Sequence, residues 1–158
     1  MPARLQSILD NIPEDVSVAD IGSDHAYIPI GLWKRGNPGP IIATEVKKGP
    51  YNQALKSILD SNAEVELRLG DGLEPIKSGE VDWIVIAGMG GHTIMKILEQ
   101  SETILPSFKA FLLQPMFKTE ELRKKVVELG LFIQREWVVN ERKKCYDFMI
   151  VVPDYKMC

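Results

Sequence analysis

The sequence is poor in the residues that build metal centres. It has two cysteines, Cys145 and Cys158, and two histidines, His25 and His92. Neither pair stands at a metal-ligand spacing, so no metal is expected. Two cysteines make no disulfide framework, and a reduced, cytoplasmic setting is the simplest reading. Long apolar runs are missing as well. Stretches such as Trp83–Ala87 are of strand length, which excludes a membrane-spanning helix. The start, Met1-Pro2-Ala3-Arg4-Leu5-Gln6, lacks the apolar core of a signal peptide. Charge of one sign is not in excess either. The 19 Lys+Arg face 22 Asp+Glu, for a formal net charge of −3. That is not the footprint of a chain coated in basic residues for nucleic acid, although it leaves room for a local basic patch. No Pro/Gly/Ser-rich linker, repeat or low-complexity segment divides the 158 residues. A single domain over residues 1–158 is therefore expected. An apolar fraction of 45% is enough for a core and excludes disorder.

What is present is alternation. Val16–Ile21, Ile41–Thr44, Val65–Leu69, Val81–Ala87 and Ala110–Leu113 read as strands. Between and after them, Ile28–Arg35, Pro50–Ser61, Thr93–Glu99 and Thr119–Leu129 read as helices. The cluster Gly36-Asn37-Pro38-Gly39-Pro40 closes the first helix. Pro50 suits a first helical turn, and Ala54, Leu55, Ile58 and Leu59 share one face. Thr119 is expected to cap the last helix, with Gly130 at its exit. Ile84-Val85-Ile86-Ala87 has no polar alternation, as in a strand buried on both faces. Phe132–Val139 and Tyr146–Val152 are joined by the polar Asn140–Lys144 without a helix, so they should pair antiparallel. The expected fold is α/β and Rossmann-like: a seven-stranded, mainly parallel sheet with helices on both faces and an antiparallel terminal hairpin. Ligands of such sheets bind beyond the carboxyl ends of the strands, near the topological switch point.

Five loops lie at those ends. The first holds Asp20-Ile21-Gly22-Ser23-Asp24-His25-Ala26-Tyr27. Gly22 lets the backbone turn tightly and approach a ligand. The dinucleotide fingerprint G-x-G-x-x-G is absent. Asp20 and Asp24 would repel a pyrophosphate and attract an ammonium or a sulfonium. That argues against NAD and for S-adenosylmethionine; the alternative is a plain strand-to-helix turn with Asp24 as the helix cap. In the second loop, Glu45 is either an acceptor for both hydroxyls of a ribose or an exposed surface residue. In the third, Gly70-Asp71-Gly72-Leu73, Asp71 can accept from an adenine amino group, while a bare Asp-Gly turn is the common alternative. The fourth is Ala87-Gly88-Met89-Gly90-Gly91-His92-Thr93. Its glycines leave room for a flat base, or form a phosphate nest. The phosphate-loop pattern is missing, since no Lys precedes Thr93. His92 reads as a helix-start residue, and Met89 as packing or as a wall against a base. In the fifth, Gln114 is a substrate ligand or a strand terminus.

Together these motifs resemble one family, the bacterial tRNA (adenine-N1) methyltransferases that modify position twenty-two. The resemblance rests on Arg4-Leu5, Ala19-Asp20-Ile21-Gly22-Ser23-Asp24-His25-Ala26-Tyr27-Ile28-Pro29, Lys48-Gly49-Pro50, Arg68-Leu69-Gly70-Asp71-Gly72-Leu73, Ile84-Val85-Ile86-Ala87-Gly88-Met89-Gly90-Gly91, Leu113-Gln114-Pro115, Glu136 and Lys144–Tyr146. It implies a class I methyltransferase fold and S-adenosylmethionine as cofactor. By resemblance, Asp20, Gly22, Ser23, Asp24, His25, Glu45, Asp71, Gly72, Ala87 and Gly88 bind that cofactor. Asp24, His25, Tyr27, Gly88, Met89 and Gly90 face the reacting base. Members of the family are longer, with a helical, coiled-coil-like C-terminal part. The expectation here is a catalytic domain without it.

The implied chemistry needs positioning rather than a base, because neutral adenine carries a free lone pair on N1. Positive charge develops on the ring, and Asp24 with the backbone carbonyls of Gly88–Gly90 would stabilise it. N1 lies on the pairing edge, so the base must be unpaired or flipped. Tyr27 either stacks on it or packs under the first loop. tRNA is the implied partner. The basic clusters Lys34-Arg35, Lys47-Lys48, Lys118 with Arg123-Lys124-Lys125, and Arg142-Lys143-Lys144 are candidates to meet its phosphates. Two other readings fit the residues: a small-molecule methyltransferase, and a module that binds S-adenosylmethionine or RNA without chemistry. Oligomeric state is not encoded in any motif.

Overall fold

A computed structural model describes residues 1–154. Cys158 lies outside them; Cys145 is exposed and free. The strands are β1 (Val18–Ile21), β2 (Ile41–Glu45), β3 (Glu66–Leu69), β4 (Trp83–Met89), β5 (Ala110–Pro115), β6 (Phe132–Glu141) and β7 (Lys144–Val152). They form one sheet in the order β3-β2-β1-β4-β5-β7-β6. The first five are parallel, and β7 lies antiparallel between β5 and β6. The chain reverses direction across the sheet between β1 and β4, which is the switch point of a doubly wound fold.

The helices are α1 (Ala3–Asp10), α2 (Tyr27–Arg35), α3 (Lys48–Ser61), α4 (Gly91–Gln100) and α5 (Thr119–Glu128). Successive strand residues point to opposite faces, and each face has its own core. On one side Ile21, Ile84, Ile86, Phe111, Leu113 and Met149 meet Ile94, Leu98, Leu122 and Val126 of α4 and α5. On the other, Val18, Val85, Leu112, Phe148 and Ile150 meet Ile8, Leu9, Ile28 and Leu32 of α1 and α2. Trp83 to Ile86 are all buried, as the unbroken apolar run requires.

Helix α1 is not legible in the sequence pattern, because only Ile8 and Leu9 are buried in it. Tertiary contacts hold it instead. Arg35 donates to the carbonyls of Leu9 at 2.7 Å and Ile12 at 3.0 Å. Nε1 of Trp137 donates to Oγ of Ser7 at 2.8 Å. A short 3-10 helix, Glu102–Ser107, was likewise not expected.

Three local expectations are corrected. Thr119 is the first residue of α5, not its cap. Lys118 holds the cap position with φ 62°, and the Thr119 hydroxyl donates to Asp147 at 2.9 Å. Asp24 does not cap α2, because the cap position belongs to Ala26 in a left-handed conformation. In α3 the face is narrower than its spacing suggested: Ala54 and Ile58 are buried, but Leu55 and Leu59 are 37% and 66% exposed.

One irregularity sits in the middle of the sheet. The β4–β5 register shifts between Ala87 and Met89, so Gly88 is an extra residue with φ +75°. This β-bulge turns the end of β4 away from the ladder.

Candidate active site

The carboxyl ends of β1, β2 and β3 meet α4 around a cavity of about 270 Å³. Its walls include Ile21, Val46 and Ile97, with Thr44, Asp71, Thr93, Lys96 and Gln100 at polar positions. Apolar walls with a few placed polar groups suit a flat heteroaromatic ligand. Gly22 has φ +69°, and a Cβ built there would lie 2.4 Å from Cε of Met89. The turn is held down by Thr44, whose carbonyl accepts from Gly22 at 3.0 Å and Ser23 at 3.1 Å. The left-handed turn requires glycine, and a Cβ would also make the end of the Met89 side chain move aside.

Gly22, Asp71, Gly72 and Met89 line this cavity. Asp71 is exposed to it, and the buried Gly72 packs on Ile97. Asp20, Ser23, Asp24, His25, Glu45, Ala87, Gly88 and Gly90 stand outside its wall. The carboxylates among them form a tier around the first loop. Asp20 is 5% exposed and accepts from the Ser23 hydroxyl at 2.9 Å. Burial pushes its carboxyl up to about 7; the Ser23 bond opposes this, the Glu45 charge adds to it, and Arg4 opposes it. Glu45 is also buried, and its carboxylate accepts from the backbone N–H of Asp24. Burial raises its pKa too, against that hydrogen bond. Asp24 is exposed at φ 58°, and beside it His25 stacks on Tyr27 with ring centroids 5.3 Å apart. Tyr27 is 51% exposed, so a ring face stays open to solvent.

The bulge in β4 has its own support. Gln114 is fully buried, and its Oε1 accepts from the Gly88 N–H at 3.0 Å and from Nη1 of Arg4 at 2.9 Å. Its Nε2 donates to the Pro115 carbonyl at 3.1 Å. The amide is therefore committed inside the protein, and its role is to fix the Gly88 backbone. The Phe117 ring packs on Gly90, 2.6 Å from where a Cβ would stand. His92 is exposed on α4 and pairs with Glu121.

Sequence reasoning missed Thr44, Val46, Lys96, Gln100 and Phe117, and gave Arg4 no role. Lys96 and Gln100 follow Thr93 at helical spacing, so placing α4 against the cavity would have found them. Arg4 stands in the Arg4-Leu5 segment that shares in the family resemblance, but nothing in the local sequence says what it contacts. No group of His, Cys, Asp and Glu suited to a metal is present among the described residues, and no helix there is long and apolar enough to cross a membrane.

Residues 1–149 match a family model described as a methyltransferase domain. The chain is 37% identical over 149 residues to the tRNA (adenine(22)-N(1))-methyltransferase of Bacillus subtilis; the match covers 93% of this chain and 63% of that protein. The chain thus spans less than two thirds of the length of this curated relative. The crystal structure of the B. subtilis m1A22 tRNA methyltransferase superposes with a TM-score of 0.90 at 34% identity, covering 98% of this chain and 67% of that one. A Streptococcus pneumoniae protein solved in complex with S-adenosyl-L-methionine gives a TM-score of 0.90 at 34% identity, covering 96% and 73%.

Proposed function

The chain belongs to the methyltransferase-domain family, among the bacterial tRNA (adenine-22-N1) methyltransferases, and from that premise we propose that it transfers a methyl group from S-adenosylmethionine to N1 of an adenine in tRNA. The observation that carries the reading is the glycine-cradled cavity at the switch point, rimmed by carboxylates and without a dinucleotide fingerprint. S-adenosylmethionine, when bound, supplies a methyl group activated by a sulfonium. Gly22, Asp71, Gly72 and Met89 would hold it, and acidic Asp24 and Glu45 nearby favour a cationic ligand.

The protein's own part is positioning and electrostatics. Tyr27 offers an open aromatic face on which a flipped base can stack, and His25 backs it. The Gly88 bulge at the end of β4 is held by the buried Gln114, which accepts its N–H. The Asp24 carboxylate stabilises positive charge as it develops on the adenine ring. No general base is needed to expose the N1 lone pair. A tRNA substrate is consistent with a cytoplasmic setting.

The test is nucleoside mass spectrometry on unmodified tRNA incubated with the protein and S-adenosylmethionine. 1-Methyladenosine is the expected product. Turnover on a small molecule with tRNA untouched would overturn the reading.

A further inference from the structure

We propose that the tip of the β6–β7 hairpin, Arg142-Lys143-Lys144, is a phosphate grip for the RNA strand that carries the target base. The inference rests on the proposed tRNA substrate and adds a surface to it.

Position is the first argument. Strand β7 pairs antiparallel with β5 through Phe111↔Val151 and Leu113↔Met149. Continued, that register sets Pro115, the last residue of β5, level with Asp147. Lys144 then lies three residues further, about 10 Å past the carboxyl end of the sheet. From Arg135↔Ile150 the β6–β7 ladder runs in continuous register to Glu141↔Lys144, so the tip is held rather than loose. Its foot reaches the site directly: Tyr146 lies under the Arg4 guanidinium at 5.9 Å, and Arg4 is bonded to Gln114, which holds Gly88. Glu141 accepts from the Ala3 N–H at 2.5 Å, which ties the hairpin to α1. The three cations therefore overhang the side of β4 and β5 where Gly88 and Phe117 lie.

Charge is the second argument. Most other basic clusters are spent within the protein. Arg123 pairs with Glu136 at 2.6 Å, and Lys125 pairs with Glu99 at 2.6 Å. Arg35 donates to the carbonyls of Leu9, Ile12 and Pro13. Lys47 and Lys48 are exposed, but they stand beyond β2, three strands away from β5. Arg142, Lys143 and Lys144 are exposed, and no carboxylate pairs with them among the described residues.

Local chemistry is the third. Arg142 and Lys143 are the two turn residues, with φ 50° and 67°. A two-residue turn of this kind prefers Asn-Gly, because both positions need positive φ. Long cations stand there instead. A local rule broken without gain to the fold points to a demand from outside it.

The test uses two variants of the full chain. One is Arg142→Glu, Lys143→Glu, Lys144→Glu. The other is Arg142→Asn, Lys143→Gly, Lys144→Thr, which removes the charges while giving the turn its preferred residues. Binding of S-adenosylmethionine by calorimetry verifies the fold and is expected to be unchanged. Affinity for unmodified tRNA should fall at least tenfold in both. The slope of log affinity against log salt should become shallower by about two, as three lost phosphate contacts require. Variants that bind tRNA like wild type would overturn the grip and leave the proposed function standing. A wild type that binds tRNA through this tip but forms no 1-methyladenosine would count against the function and support the grip. A wild type that binds no tRNA would overturn both.

Discussion

Nη1 of Arg4, in the first turn of α1, lies 2.9 Å from Oε1 of Gln114, in β5 and 110 positions later. The same oxygen accepts from the Gly88 N–H at 3.0 Å. One buried amide thus joins the start of the chain to the bulge beside the candidate site. Gln114→Leu keeps the volume and leaves both donors without an acceptor. An unsatisfied buried donor costs about 1–3 kcal/mol. Thermal unfolding should show a drop of that order, and methyl transfer should fall while S-adenosylmethionine affinity holds. A stability loss with unchanged transfer would make Gln114 a purely structural residue.

Asp20 is expected to impose a pH dependence. Its folded pKa is raised from 3.8 to about 7, so between those values the native state keeps a proton that the unfolded chain has lost. Stability from this group is highest at low pH and falls as pH rises toward 7. Glu80, held down to about 2 by Arg68, contributes with the opposite sign, so the wild-type profile alone is not diagnostic. The difference between wild type and Asp20→Asn is. The variant should gain on wild type between about pH 4 and 7 and level off above, by about 2–4 °C in Tm per kcal/mol. Parallel profiles would remove Asp20 as the cause.

Glu45→Ala should weaken S-adenosylmethionine. The change removes the acceptor of the Asp24 N–H and a carboxylate at the end of β2. If the carboxylate also accepts from the ribose, losing that charged hydrogen bond, about 1.5–3 kcal/mol, corresponds to roughly tenfold or more in affinity. Unchanged affinity by calorimetry would take Glu45 out of the site.

Asp24→Asn tests charge alone, because asparagine tolerates the left-handed backbone at φ 58°. Methyl transfer should fall more than cofactor affinity. Proportional losses in kcat and binding would make Asp24 a binding residue only.

Gly22→Ala should damage both fold and binding. A Cβ there meets Met89 at 2.4 Å, on a backbone at φ +69°. The left-handed conformation alone costs about 1–2 kcal/mol for a residue with a Cβ. Cofactor affinity should fall with stability; a well-folded variant with full affinity would show that the turn leaves slack.

The sheet was legible because its strands are β-branched runs bounded by turn residues, and parallel strands carry that signal most strongly. The two missed helical elements carry little of it. Helix α1 buries only Ile8 and Leu9, and the 3-10 helix Glu102–Ser107 buries only Leu105. In the site, Gly22 and Asp71 declared themselves through local motifs. Arg4 belonged to a matching segment, but its role did not show, since its meaning comes from partners far along the chain. Gln114 was readable as polar at a strand end, but not as an internal brace, because its direction depends on a bulge in the neighbouring strand. The helix caps failed for a related reason: Ala26 and Lys118 take left-handed conformations that no propensity favours.

The place of β7 in the sheet also sets an order on how the molecule is made. Although β7 follows every other strand in the sequence, it lies between β5 and β6, with Phe148 to Val152 all buried. On the ribosome the first five strands emerge with one flank of β5 bare. That flank stays open to water and to other nascent chains until residues 144–152 leave the exit tunnel. Tyr146, the ring under the Arg4 guanidinium, reaches its place in that same late event, after the residues that line the cavity have already been made.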